Sequence, residues 1–191
     1  MTSKKQTDQR LIIGISGASG IQYGIRLLEV LRPLPIETHL IMSKSAQLVR
    51  QFEVEQEYDQ ISTLADKTYS FQDVSCSVAS GSFKTMGMII APCSMHTLAE
   101  VAHGFGANAL TRAADVVLKD RRKLVLMVRE SPFNAAHLEN MLKVTQMGGI
   151  IAPPIPAFYN HPQSIADIID HSVGRVLDLF DIETNLVKRW E

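Results

Sequence analysis

The chain is short of cysteine, of excess charge and of long apolar runs, and each shortage removes a class of protein. It holds two cysteines, Cys76 and Cys93, in no CxxC pair. That is too few for a disulfide scaffold and offers no thiolate metal set, so a reducing cytoplasm is the expected setting. Six histidines are scattered without an HxH or HxxxH pair, and no metal site is expected. Lysine and arginine total 19 against 20 acidic residues, for a formal net charge of −1. A nucleic-acid binder carries a basic excess or stripe, which is missing here. The one basic run, Arg121-Arg122-Lys123, follows Asp120 and reads as a solvated helix end. The apolar stretch LIIGISGASGI at 11–21 is broken by glycines and is too short to span a bilayer.

What remains is an ordinary globular balance, with 191 residues, 46% of them hydrophobic and 20% charged, which suits one domain around one core. Residues 1–9 are polar and read as a disordered lead-in, 10–182 as the domain and 183–191 as a tail. Apolar runs at 11–15, 36–42, 86–91, 124–128 and 150–152 read as five buried strands. Ile21, Ile25, Leu28 and Leu31 recur at helical spacing until Pro33 and Pro35 stop the helix. Ser43 is a plausible N-cap for a helix to about 53. Further helices are expected near 60–66, from 94 to about 103, over 108–121, from the pair Ser131-Pro132 (cap and first helical residue), and over 163–180. Strands alternating with helices predict an α/β fold, a Rossmann-like or flavodoxin-like three-layer, doubly wound parallel sheet in a single domain.

In such sheets ligands bind beyond the carboxyl ends of the strands. Four of those ends carry serine: Ser16-Gly17-Ala18-Ser19-Gly20, Ser43-Lys44-Ser45, Cys93-Ser94 and Arg129-Glu130-Ser131. Each precedes an expected helix, whose first N–H groups and dipole favour an anion, so together they predict a phosphate-bearing cofactor. The first turn is neither a P-loop nor GxGxxG, and alone it reads equally well as tight helix–strand packing. Arg129 leaves an apolar strand toward the expected cleft. Glu130 beside it is either a proton carrier or a helix N-terminal carboxylate. Arg112, Asp115 and Lys119 share a helix face, and spacing alone favours a surface ion-pair ladder. Tyr159 lies in a proline-rich loop and Arg175 among Val173, Val176 and Leu177. Each is open to an anion-binding or a packing role.

Six blocks in order carry a resemblance: SGASG at 16–20, SGSF at 80–83, APCS at 91–94, LTRAADVVLK at 110–119, VRESP at 128–132 and PPIPAFYNHPQS at 153–164. From about residue 10 to 190 the chain resembles the flavin prenyltransferases, the UbiX/Pad family. The resemblance implies a flavoprotein that binds FMN between subunits of a dodecamer and needs no metal. It implies transfer of the dimethylallyl group of dimethylallyl monophosphate to N5 and C6 of reduced FMN. The prenylated FMN would serve UbiD-type decarboxylases, with a link to ubiquinone biosynthesis.

By the same resemblance Gly17, Ala18, Ser19, Ser43, Ser94, Met95, His96 and Thr97 match FMN contacts, and Arg129 an arginine near the flavin. Lys119, Glu130, Tyr159 and Arg175 match groups that hold the substrate phosphate or move protons. Ser16 and Glu130 are the implied proton relay, Phe83 a wall of the pocket and Glu53 a residue that closes over the site. His96 stands where the family often has Lys, which leaves a backbone contact there. Arg189-Trp190 resembles the family's ending and implies a tail folded on a neighbouring subunit. Loss of phosphate from an allylic carbon leaves a delocalised cation, so the reaction requires a phosphate clamp and a dry pocket. Reduced flavin supplies the nucleophile, which makes Cys93 a small buried packing residue. Two other readings stay open. A Cys-decarboxylating flavoprotein shares the fold, but its active-site His and Pro-x-Met-Asn block are missing here. A non-catalytic FMN-binding module would not need Lys119, Tyr159 and Arg175.

Overall fold

In a computed structural model of the chain, residues 9–187 are described. Strands β1 (Arg10–Ile15), β2 (Glu37–Met42), β3 (Lys67–Tyr69), β4 (Gly87–Cys93), β5 (Lys123–Val128) and β6 (Ile150–Ile151) form one sheet in the order β3-β2-β1-β4-β5-β6. Every pairing is parallel. This is the doubly wound order whose direction reverses between β1 and β4, and that reversal opens a crevice beyond their carboxyl ends.

Helices α1 (Ile21–Leu31), α2 (Lys44–Glu53), α3 (Tyr58–Ser62) and α7 (Ile165–Asp178) cover one face. Helices α4 (Met95–Ala102), α5 (Ala109–Lys119) and α6 (Ala135–Gln146), with the irregular segment 70–86, cover the other. Right-handed crossovers demand this switch of face once the strand order reverses. The central strands are buried on both sides, which is why they read as continuous apolar runs. Helix α1 packs hard on β4, because a Cβ on Gly24 would collide with the Ala91 carbonyl and the Ile15 side chain. At the other end Leu186 and Val187 lie against Gly174 of α7. Residues 1–8, most of the expected lead-in, and 188–191, the end of the expected tail with Arg189-Trp190, lie outside the described residues.

Three expectations need correction. There are six strands, not five, because β3 adds a short edge strand at Lys67–Tyr69. Helix α3 ends at Ser62 and does not reach 66. Helix α6 does not start at Ser131-Pro132. Asn134 is its cap, accepting from His137 N–H while the His137 ring accepts from Asn134 N–H. Elsewhere Ser43, Ser94, Asn108 and Ser164 cap their helices through the side chain.

The amino ends of β1, β2 and β3 carry a polar cluster. Glu37 joins Arg10 at 3.2 Å and Lys67 at 2.9 Å. The His39 ring is fully buried beside them, with Nδ1 2.8 Å from the Tyr69 hydroxyl, which lies 2.7 Å from Ser77 Oγ. Burial lowers the His39 pKa from 6.5 to about 4, against the pull of Glu37. Between those values the unfolded chain binds the extra proton, so this contribution to stability is full above pH 6.5 and is lost as pH falls toward 4. We expect the urea midpoint to drop between neutral pH and about pH 5. The variant His39→Gln, which keeps an acceptor for Tyr69, should lose most of that slope. A slope unchanged in the variant would assign it to another group.

Candidate active site

The carboxyl ends of β2, β1, β4 and β5 lie side by side, and Ser16 ties the middle two together. It is fully buried. Its hydroxyl donates to the Pro92 carbonyl at 3.0 Å and accepts from Ser94 N–H at 2.8 Å, and its own N–H reaches Pro92 O at 3.1 Å. The hydroxyl's one proton is committed to Pro92 O, so a relay that passes that proton elsewhere requires this bond to open. Ser94 then caps α4, accepting from Thr97 N–H, and Arg129 N–H donates to Cys93 O at 3.0 Å. The Arg129 side chain thus starts from a backbone position fixed to β4.

The turn after β1 comes close to the start of α2, and a Cβ on Gly17 would strike Ser45. Gly20 caps α1 in the left-handed region, at φ 105°, with no side chain of its own to offer. Glu53 fills that role from the end of α2. Its carboxylate accepts from Gly20 N–H at 2.8 Å and Ile21 N–H at 3.0 Å. A carboxylate on two orphan N–H groups at a helix N-terminus is favoured by both hydrogen bonding and the dipole. Ser19, Gly20, Tyr23, Glu53, Arg129 and Ile169 enclose a cavity of about 380 Å³, with Pro154 and Ile165 adding apolar wall. Met95 is partly buried in the helical layer, and the exposed His96 ring leans along α4 to Glu100, 3.7 Å away. Burial raises the Cys93 thiol far above its ordinary pKa, so it is packing material and not a nucleophile.

The remaining expected residues do not gather in this cleft. Glu130 is exposed and accepts from Ser131 N–H at 2.9 Å. It stands four residues before Asn134 and is not a helix N-terminal carboxylate. Tyr159 lies exposed in the turn Phe158–Asn160 with its hydroxyl 3.2 Å from His171 Nε2. Arg175 is also exposed, paired with Asp178 at 2.8 Å, and borders a cavity of about 220 Å³ shared with His171 and Pro153. The surface ladder through Asp115 breaks up, because Arg112 pairs with Asp115 whereas Lys119 pairs with Asp120. Lys119 ends α5 just before β5 begins, so it sits at the amino edge of the sheet, away from the cleft. Phe83 is there too, between the Arg10 guanidinium at 4.9 Å and the edge-on His39 ring at 5.2 Å. It does not wall the cleft of its own chain.

Arg122 was missed. It is not a solvated helix end but a clamp 17% exposed, bonded to Gly81 O and Phe83 O at 2.8 Å each. Its local partner, Asp120, gives no hint of this, since the loop oxygens that Arg122 holds, Gly81 O and Phe83 O, lie about forty positions upstream.

The Flavoprotein family profile matches residues 1–186. The chain is 56% identical to the flavin prenyltransferase UbiX of Neisseria meningitidis serogroup B, over 96% of this chain and 97% of that one. The chain belongs to the flavin prenyltransferases. Among solved structures it is similar to AnUbiX (PadA1) in complex with FMN and dimethylallyl pyrophosphate, with a TM-score of 0.95, 46% identity and coverage of 97% and 98%. It is also similar to the dodecameric FMN-dependent UbiX-like protein of Escherichia coli O157:H7, at a TM-score of 0.94, 47% identity and coverage of 96% and 100%. At these identities the flavin prenyltransferase reading stands over the Cys-decarboxylating one. Among the described residues no group of three or more His, Cys, Asp or Glu could hold a metal ion, and no helix is long and apolar enough to cross a membrane.

The geometry around Ser16 makes a prediction for this family member. Ser16→Ala leaves Ser94 N–H unpaired at a half-buried edge, which costs about 1–3 kcal/mol. Melting should fall by several degrees, and FMN affinity should fall with it. An unchanged melting temperature would mean that the β1–β4 edge does not depend on this hydroxyl.

Proposed function

We propose that the chain joins the dimethylallyl group of dimethylallyl monophosphate to N5 and C6 of reduced FMN, and that a UbiD-type decarboxylase takes the product. The carrying observation is a cleft at the strand-order switch, lined by the Ser19-Gly20 turn, Tyr23 and Arg129, in a chain of this family whose nearby thiol, Cys93, is buried. The residues fit FMN. Two serine-capped helix N-termini, at Ser43 and Ser94, suit an anion, and Gly17, Ala18 and Ser19 give close backbone approach. Met95, His96, Thr97 and Arg129 complete the proposed FMN set. When bound, reduced FMN supplies the nucleophilic ring atoms.

The chain's own groups then have two tasks. Lys119, Arg175 and Tyr159 supply charge and donors to the leaving phosphate, where negative charge grows as the allylic C–O bond breaks. Glu130, exposed beyond β5, is our assignment for the group that takes the proton released from the ring. Glu53 closes the turn side, and Phe83 shields the allylic cation from water.

Lys119 and Phe83 lie at the sheet edge opposite Arg129, so a complete site needs them from a second copy. The dodecamer of the E. coli relative supports such an arrangement.

Anaerobic incubation with reduced FMN and dimethylallyl monophosphate should raise the flavin mass by one prenyl unit. An unchanged mass with FMN bound would end this reading. Lys119→Ala should lower transfer on the order of a hundredfold or more while FMN binding persists. Arg129→Ala should also be inactive. Co-expressed, the two variants should recover part of the activity, because some sites receive Arg129 from one copy and Lys119 from the other. A chain carrying both substitutions should recover none. Failure of the mixed assembly to recover any activity would place both groups on one chain's site.

A further inference from the structure

At the amino edge of the sheet, residues 80–85 turn against the end of α5, and Arg122 holds them there. Its Nη1 donates to Phe83 O at 2.8 Å and to Thr85 Oγ1 at 3.3 Å. Its Nη2 donates to Gly81 O and to Asp120 Oδ2, both at 2.8 Å. The other Asp120 oxygen accepts from Lys119 Nζ at 2.6 Å. One planar guanidinium therefore fixes three loop oxygens and, through a shared carboxylate, the neighbouring ammonium. The ammonium also rests on Gly81, since a Cβ there would come within 2.7 Å of Lys119 Nζ. The Lys119 hydrogen bond, with both nearby cations, holds the Asp120 carboxyl below its ordinary range, so the bridge is charged at neutral pH.

We propose that Arg122 is a positioning residue for the reaction, aiming the Lys119 ammonium at the substrate phosphate through Asp120 and the Gly81–Thr85 loop. The inference rests on the reading of Lys119 as a phosphate ligand. A free lysine carries about 2 kcal/mol of rotamer entropy, which it must lose on binding an anion. Lys119 has lost part of it in advance, because Asp120 and Gly81 fix its end. The arrangement needs the planar fork of arginine, since a lysine ammonium at 122 is a point charge that cannot span oxygens set on both sides of it. Phe83 is gripped separately by Arg10 and His39, so the loop does not depend on Arg122 alone for its attachment to the sheet.

The test reads the dissociation constant of dimethylallyl monophosphate from the assembled protein loaded with oxidised FMN, where no transfer occurs. Arg122→Lys should weaken binding on the order of tenfold, the loss expected for charged hydrogen bonds, with FMN affinity and assembly unchanged. Gly81→Ala removes no charge and displaces the ammonium by its new methyl group, so it should act in the same direction even if Arg122→Lys folds poorly. On a Lys119→Ala background both substitutions should have little further effect. Full additivity there would overturn the proposal, as would loss of melting temperature and FMN affinity with phosphate binding unmoved; either result makes Arg122 a loop strut only. If Lys119→Ala alone leaves phosphate binding unchanged, the reading of Lys119 fails and the proposal with it.

Discussion

The cleft depends on how β1 is held to β4 where their connections part. Past the last ladder bond, chains leaving two neighbouring parallel strands diverge, and something must pair the groups they expose. The Ser16 hydroxyl does so by giving a proton to Pro92 O and taking one from Ser94 N–H. The bonds then run on: Ser94 caps α4, and Arg129 N–H binds Cys93 O at the mouth of β5. Three strand ends become one hydrogen-bonded edge. Each bond is worth only about 1 kcal/mol net, but breaking one strands a buried partner at higher cost. That asymmetry fixes the edge more firmly than the sum of its bonds.

The same parallel sheet separates the two halves of the proposed chemistry. Residues beyond strand ends collect at one edge, and residues that end a helix before the next strand collect at the other. Lys119 belongs to the second group by topology, whatever its side chain does. A single copy thus keeps its Lys119–Arg122 pair, bridged by Asp120, far from Arg129. Assembly across copies would bring two cationic sets together only around a phosphate whose charge compensates them. On that reading the active site and the oligomer are one construction, and the near-neutral net charge of the chain places no long-range barrier against it.

The parts of the fold that could be read from sequence were those decided locally. β1, β4 and β5 are buried on both faces and announce themselves as apolar runs, and Ser43 caps α2 as its type suggests. β3 could not be read, because Lys67-Thr68-Tyr69 is a three-residue edge strand with only Lys67 exposed and has no room for a period. Ser131-Pro132 has the form of a helix start but loses to Asn134, whose exchange of bonds with His137 lies three residues further on. The site followed the same rule. The serine-bearing strand ends pointed to the edge, and the six blocks pointed to the family, but spacing alone tied Lys119 to Asp115 when its partner is Asp120. Arg122 holds Gly81 and Glu53 holds Gly20, 41 and 33 residues away, and neither those contacts nor the Asp120 bond beside Arg122 leaves a pattern in the sequence that points to the loop.

Glu53 also changes what the Ser16–Gly20 turn can attract. In sequence this turn is the most anion-seeking of the strand ends, with its glycines and serines ahead of a helix. In the fold, the Glu53 carboxylate already spends the first N–H groups of α1 and cancels the field there. Helices α2 and α4 are capped instead by neutral serine hydroxyls, which satisfy a donor without adding charge. Their N-termini keep an attraction for a dianion that α1 has lost. On the proposed reading, a phosphate entering this edge would be drawn toward Ser43 and the Ser94–Thr97 segment. The glycine turn would then face the less charged part of the ligand, a task for which a small, closely packed backbone is suited.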